Sequence, residues 1–145
     1  MASVSTYLNF SGNTEDAFNF YKQVFGTEFV DGISRFGDMP PGDTEMQIAE
    51  DAKNYVMHVA LPILGGHMLM GTDATQATGF EVKFGNNVSI NLEPDTRKET
   101  DDLFNSLSEG GSVVTPLQEM FWGDYYGSCT DKFGVCWMFN CSEKR

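Results

Sequence analysis

An α+β fold made of two copies of a four-stranded sheet with one helix is predicted by three features of this sequence. The chain has 145 residues, enough for one compact domain but too few for two modules that each hold an independent core. The order strand, helix, strand, strand, strand can be read twice along it. Ser5 and Ser89, and Phe20 and Phe104, stand at the same offset of 84 residues. The predicted organisation is therefore a single domain over 1–145, with module one at 1–78 and module two at 86–145, each depending on the other for stability.

The elements follow in order. Tyr7-Leu8-Asn9-Phe10 reads as a strand that turns at Ser11-Gly12-Asn13. A helix follows, with Asn13 as its cap, Thr14-Glu15-Asp16 as an acidic first turn, Ala17, Phe18, Tyr21, Val24 and Phe25 as its apolar stripe, and Gly26 as its stop. Phe29 to Phe36 reads as a second strand, and Gly37 to Asp43, with two prolines, as a loop long enough to act as a lid. Tyr55 to Ile63 and His67 to Met70, separated by Gly65-Gly66, read as a hairpin. Asp73 to Asn87 is a polar connector. Val88 to Leu92 then alternates as a strand, and Thr96-Arg97-Lys98-Glu99 is a capping box that opens a helix with Leu103, Phe104 and Leu107 on its apolar face. After Gly110-Gly111 come strands at Val113 to Met120, Tyr125 to Thr130 and Val135 to Phe139, with Asp131 as a turn former.

Composition narrows the partners. Against 21 Asp and Glu stand 9 Lys and Arg, giving a net charge of −12. Such a surface repels phosphate backbones and anionic lipid, so neither nucleic acid nor a membrane surface is expected as a partner. The longest apolar runs fall well short of the roughly 20 residues of a membrane helix, and Met1-Ala2-Ser3-Val4 has no signal-peptide pattern. The expected compartment is the cytoplasm, with Cys129, Cys136 and Cys141 reduced: they are odd in number and lack CxxC spacing.

Tyr7-Leu8-Asn9-Phe10-Ser11-Gly12-Asn13, followed by Ala17-Phe18, Phe20-Tyr21 and Phe25-Gly26, resembles the opening of the PhnB-like branch of the vicinal oxygen chelate superfamily, which includes glyoxalases, bleomycin-resistance proteins and extradiol dioxygenases. Phe36 to Pro40, Phe121-Trp122-Gly123 and Thr130 to Met138 agree with it. The resemblance implies paired βαβββ modules, each curling around half of a pocket, and commonly a homodimer. Members of this branch often carry a demethylubiquinone methyltransferase label, but no glycine-rich nucleotide loop follows the first strand to support a methyl-donor site.

In metal-dependent relatives, a His or Glu on the first and last strand of each module converges on a divalent ion. The positions that match here are Ser5, Leu69 (within one residue, so Met68 or Met70), Ser89 and Met138. Hydroxyl, alkyl and thioether groups make poor ligands for such ions, so no metal and no other cofactor is expected. Instead these four residues, with Trp122 and Tyr126, are expected to line a cavity for a small, partly apolar ligand.

Of the two histidines, His58 is a candidate pocket base, and His67, at a turn, reads as a surface residue. Glu119 is the other candidate acid or base, since burial of a carboxylate beside Phe121 and Trp122 would favour its protonated form. Whether the chain is an enzyme stays open. Two rival readings use other features: a divalent-metal lyase or dioxygenase built on His58, His67 and Glu119, and a dimeric interaction module with no substrate.

Overall fold

The computed structural model describes residues 1–38, 52–74 and 80–144. The chain divides into two compact units, Met1–Lys83 and Phe84–Arg145. The first contains β1 (Thr6–Phe10), α1 (Thr14–Phe25), β2 (Ser34–Arg35), β3 (Val56–Pro62) and β4 (Met68–Asp73). The second contains β5 (Ile90–Leu92), α2 (Arg97–Ser108), β6 (Ser112–Glu119), β7 (Tyr125–Thr130) and β8 (Cys136–Cys141). Their sheets have the same plan, β1-β4-β3-β2 and β5-β8-β7-β6. In each, the strand before the helix runs parallel to the last strand and the other pairings are antiparallel. The predicted α+β architecture of two βαβββ modules is therefore the observed one. The predicted lid, Gly37 to Asp43, lies largely outside the described residues.

Alternation sorts each strand into a helix-facing and a helix-distal side. In the first unit, Phe10, Val59, Leu61 and Leu69 are fully buried under Phe18 and Tyr21 of α1. Gly71 belongs to the same side: a Cβ there would run into the Phe18 ring, which is why α1 can lie close over β4. Burying a side chain such as Phe18 contributes about 1.5–3 kcal/mol. In the second unit, Trp137, Phe139 and Cys141 are fully buried and Leu103, Phe104 and Leu107 of α2 cover them, with Phe104 and Phe139 edge to face at 5.2 Å. Burial also pushes the Cys129 thiol up to about 12.

Local signals act as expected at several points. The Thr96 hydroxyl accepts from Glu99 N–H at 3.1 Å, and Gly26, in the left-handed region at φ 66°, donates its N–H to the Lys22 carbonyl at 2.9 Å. Three expectations change. The strand expected over Phe29 to Phe36 shrinks to Ser34–Arg35, because Asp31 and Gly32 take left-handed φ values of 59° and 71° that interrupt the ladder. Asn13 makes no side-chain cap. Asp73, expected in a polar connector, ends β4 instead and is 2% exposed. Its carboxylate does the capping: Oδ1 accepts Gly12 N–H and Thr14 N–H at 3.0 Å and the Thr14 hydroxyl at 2.6 Å, while Oδ2 accepts Val56 N–H at 2.8 Å.

Asp131 matches its expected turn role and exceeds it. Oδ1 accepts Phe133 N–H at 2.8 Å and Val135 N–H at 3.1 Å, and Oδ2 accepts the Trp137 indole N–H at 2.8 Å. No helix of the described residues is long and apolar enough to cross a membrane.

Candidate functional site

With the helix-facing sides filled by core, the helix-distal sides carry the remaining chemistry. On the first sheet, β1 places Tyr7 and Asn9 there, β2 Ser34, β3 His58 and Ala60, and β4 Met68, Met70 and Thr72, as the registers Tyr7↔Met70, Asn9↔Thr72, Ala60↔Met70 and Ser34↔His58 require. Ser5 precedes β1 on the same side, its hydroxyl 3.8 Å from Met70 Sδ. On the second sheet, the registers Asn91↔Met138, Ser128↔Met138, Tyr126↔Asn140 and Gln118↔Tyr126 set these residues side by side, with Ser89 two residues ahead of Asn91 on the same side.

Neither face carries an Asp, Glu, Lys or Arg among the described strand residues, although the chain as a whole has a net charge of −12. The faces are built from hydroxyls, amides, thioethers, phenols and one imidazole.

The expected site residues are distributed as follows. Ser89, Tyr126 and Met138 share the helix-distal face of the second sheet, and Ser5 and His58 share that of the first. Leu69 is a correction: it is fully buried against α1, and its neighbour Met70 occupies the helix-distal register beside Ser5. A one-residue slip reverses a strand's faces, and the sequence alone left that slip open. Trp122 sits with Phe121 in the turn between β6 and β7, and the two are 50% and 96% exposed and edge to face at 4.8 Å. Glu119 does not meet the burial that would suit it to proton transfer: it is exposed and paired with the Arg97 guanidinium at 3.0 Å. Arg97 also lies 4.9 Å from the Tyr125 ring centroid and donates to the Glu143 carbonyl, so Glu119 belongs to a brace at the start of α2. Tyr125, on the helix side, donates to Asp101 at 2.5 Å.

His58 and His67 are not brought together. Ile63, just past the end of β3, donates its N–H to the His67 carbonyl, which sets His67 level with a point five residues from His58, roughly 16 Å of extended chain. His67 Nε2 lies 2.8 Å from Thr6 Oγ1, whereas His58 Nδ1 lies 3.4 Å from the Tyr7 hydroxyl. Burial raises the Tyr7 hydroxyl above its usual value of 10, against a smaller downward pull from a hydrogen bond with Thr72. Tyr7 and Thr72 were not singled out from sequence, because only the register shows that they flank His58.

The positions matched to metal ligands carry Ser5 and Met70 in the first unit and Ser89 and Met138 in the second. Hydroxyls and thioethers do not fit a hard or borderline divalent ion. Among the described residues, no three His, Cys, Asp or Glu side chains form a cluster.

Comparison with known proteins agrees with this architecture. A family model described as 3-demethylubiquinone-9 3-methyltransferase matches residues 2–139. Protein YjdN of Escherichia coli is 30% identical over 98% of this chain and 97% of its own length. Protein PA1353 of Pseudomonas aeruginosa superposes with a TM-score of 0.83 at 36% identity over the whole of both chains. A Bacillus cereus protein, described as a putative 3-demethylubiquinone-9 3-methyltransferase, PhnB protein, gives 0.74 at 28% identity over 97% of this chain and 99% of that one. At 17% identity, a glyoxalase/bleomycin resistance protein/dioxygenase family enzyme from Burkholderia phytofirmans shares the fold, with a TM-score of 0.62 over 95% of this chain and 98% of its own. The chain thus belongs to the 3-demethylubiquinone-9 3-methyltransferase family.

Proposed function

We propose that this chain binds a small, uncharged, partly apolar molecule on the helix-distal faces of its sheets, without a divalent metal. The observation that carries this reading is the absence of Asp, Glu, Lys and Arg from the described strand positions of both faces in a chain with 21 acidic and 9 basic residues. A face of this kind offers aromatic and thioether surface for apolar burial, and neutral hydroxyl and amide groups that orient a ligand without demanding a counter-charge.

Methyl transfer, the activity in the family's description, is not part of this reading. Anionic cofactors commonly use the free N–H groups where a strand passes into a helix. Here those groups are taken by the chain's own carboxylates: Asp73 caps the start of α1, and Glu143 accepts Arg97 N–H at 2.9 Å at the start of α2.

Titration calorimetry with benzyl alcohol, benzoate and benzylamine tests the proposal. Benzyl alcohol should bind saturably, and benzoate and the benzylammonium ion at least about tenfold more weakly, because each would bury an unpaired charge. Tightest binding of the cation would contradict the reading and point to the acidic surface instead. A stoichiometric divalent ion that survives dialysis and is lost in His58→Ala would overturn its metal-free part.

A further inference from the structure

Resting on the reading above, that the helix-distal face of the first sheet takes an uncharged ligand, we infer that His58 sets the charge class this face accepts. Neutral molecules bind while the imidazole is unprotonated, and small carboxylates are preferred once it carries a proton.

The repeat shows where this residue stands. Tyr126 pairs with Asn140, two residues past Met138 on β8. His58 lies one step beyond the Val59↔Gly71 pair, level with Thr72, which is two residues past Met70 on β4. The two sheets therefore place a ring with a polar edge at the same point of the same plan, a phenol in one and an imidazole in the other. A phenol stays neutral from about pH 5 to 8, the range in which an imidazole ordinarily exchanges its proton. Both faces are built without Asp, Glu, Lys or Arg among the described strand residues, and the first holds one group that acid makes cationic. His58 is half-buried, which leaves the ring open to a ligand.

Its surroundings supply no counter-charge among the described residues. β3 brings no other titratable side chain, β4 presents Met70 and Thr72, and β2 presents Ser34. From β1 comes the Tyr7 hydroxyl, 3.4 Å from Nδ1, which burial raises above its usual value of 10 and so keeps neutral. The charges next along these strands are engaged elsewhere. The Arg35 guanidinium donates to both oxygens of Glu15 at 2.9 and 3.0 Å, and Asp38 accepts the Arg35 amide at 2.9 Å. The Asp73 carboxylate is held by Gly12, Thr14 and Val56. A protonated His58 is thus a half-buried cation without an anionic partner, and an anionic ligand that pairs with it is favoured over a neutral one.

The unmodified full chain tests this through its two histidines, because binding and protonation are reciprocal. In NMR titrations of the ring protons between about pH 5 and 8, saturating benzyl alcohol should lower the His58 midpoint. Benzoate, a carboxylate still ionised over that range, should raise it. The two midpoints should separate by at least about one pH unit, a tenfold change in relative affinity. His67, beside Thr6 at the turn, should titrate alike with either ligand.

Read at the Met70 methyl, the ratio of benzyl alcohol to benzoate affinity should fall at least about tenfold from pH 8 to pH 5.5, and should stay constant in His58→Gln, whose side chain is neutral at both. Coincident His58 midpoints with the two ligands, a His67 midpoint that moves with them, or a ratio that changes as much in His58→Gln would overturn this inference. Saturable binding of benzyl alcohol at about pH 8 would in each case leave the broader reading standing, and its absence would overturn both.

Discussion

Replacing Asp73 with alanine is expected to cost about 3–5 kcal/mol of folding stability, one of the two largest single-residue effects predicted for this chain. The carboxylate is 2% exposed and accepts four hydrogen bonds, from Gly12, Thr14 twice, and Val56, which join the turn before α1 to the start of β3. Its loss strands buried donors on elements that are distant in sequence, and each buried unsatisfied donor costs about 1–3 kcal/mol before relaxation. Asp73→Asn should cost less, about 2 kcal/mol, because its oxygen still accepts from one group of donors even though its NH₂ cannot accept from the other. Chemical denaturation followed by circular dichroism measures both. Hydrogen exchange should also speed up selectively at the Gly12, Thr14 and Val56 amides. A midpoint for Asp73→Ala equal to that of the unmodified chain would refute this account of the first module.

Trp137→Ala carries the second large effect, about 3–5 kcal/mol. The indole is fully buried, so its removal leaves a cavity under α2, and its N–H, 2.8 Å from Asp131 Oδ2, vanishes with it. Trp137→Phe separates the two contributions, since it keeps most of the apolar volume and strips the donor. It should cost about 1–3 kcal/mol. Asp131→Ala should cost more than Trp137→Phe, because the Phe133 and Val135 amides lose their acceptor as well. If Trp137→Phe matches the unmodified chain in a urea titration, the indole–carboxylate bond contributes nothing.

These two carboxylates also mark how far the sequence could be read. Asp131 is legible because its partners lie two to six residues away, within the reach of turn reasoning. Asp73 is not, because its partners at Gly12 and Thr14 lie 61 and 59 residues away, and nothing local distinguishes it from a surface carboxylate. The same division holds elsewhere. The Thr96 capping box and the glycine stops are local chemistry and appear where expected.

The extent of β2 was misjudged because hydrophobic content outweighed an Asp31-Gly32 pair that takes left-handed backbone. Of the candidate site, Ser89 and Met138 came from the family resemblance and Tyr126 from an aromatic-rich stretch, and it is the β5, β7 and β8 registers that set the three on one face. Leu69 was misplaced by one step of register, and in a strand one step exchanges core for site. That neither helix-distal face carries a charge among the described strand residues becomes visible only when the described strands have been given their register. Composition alone suggests an acidic surface throughout.

The central claim is that these faces bind an uncharged ligand. Methionine methyl NMR tests it most directly, because the chain carries its own controls. Met70 and Met138 lie on the helix-distal faces, Met57 alternates to the helix side of β3, and Met120 borders the turn between β6 and β7. In the ¹³C-methyl-labelled chain titrated with benzyl alcohol, the Met70 and Met138 resonances should each shift saturably while Met57 and Met120 hold still. Shifts confined to Met57 or Met120, or no saturable shift at Met70 and Met138, would contradict the claim.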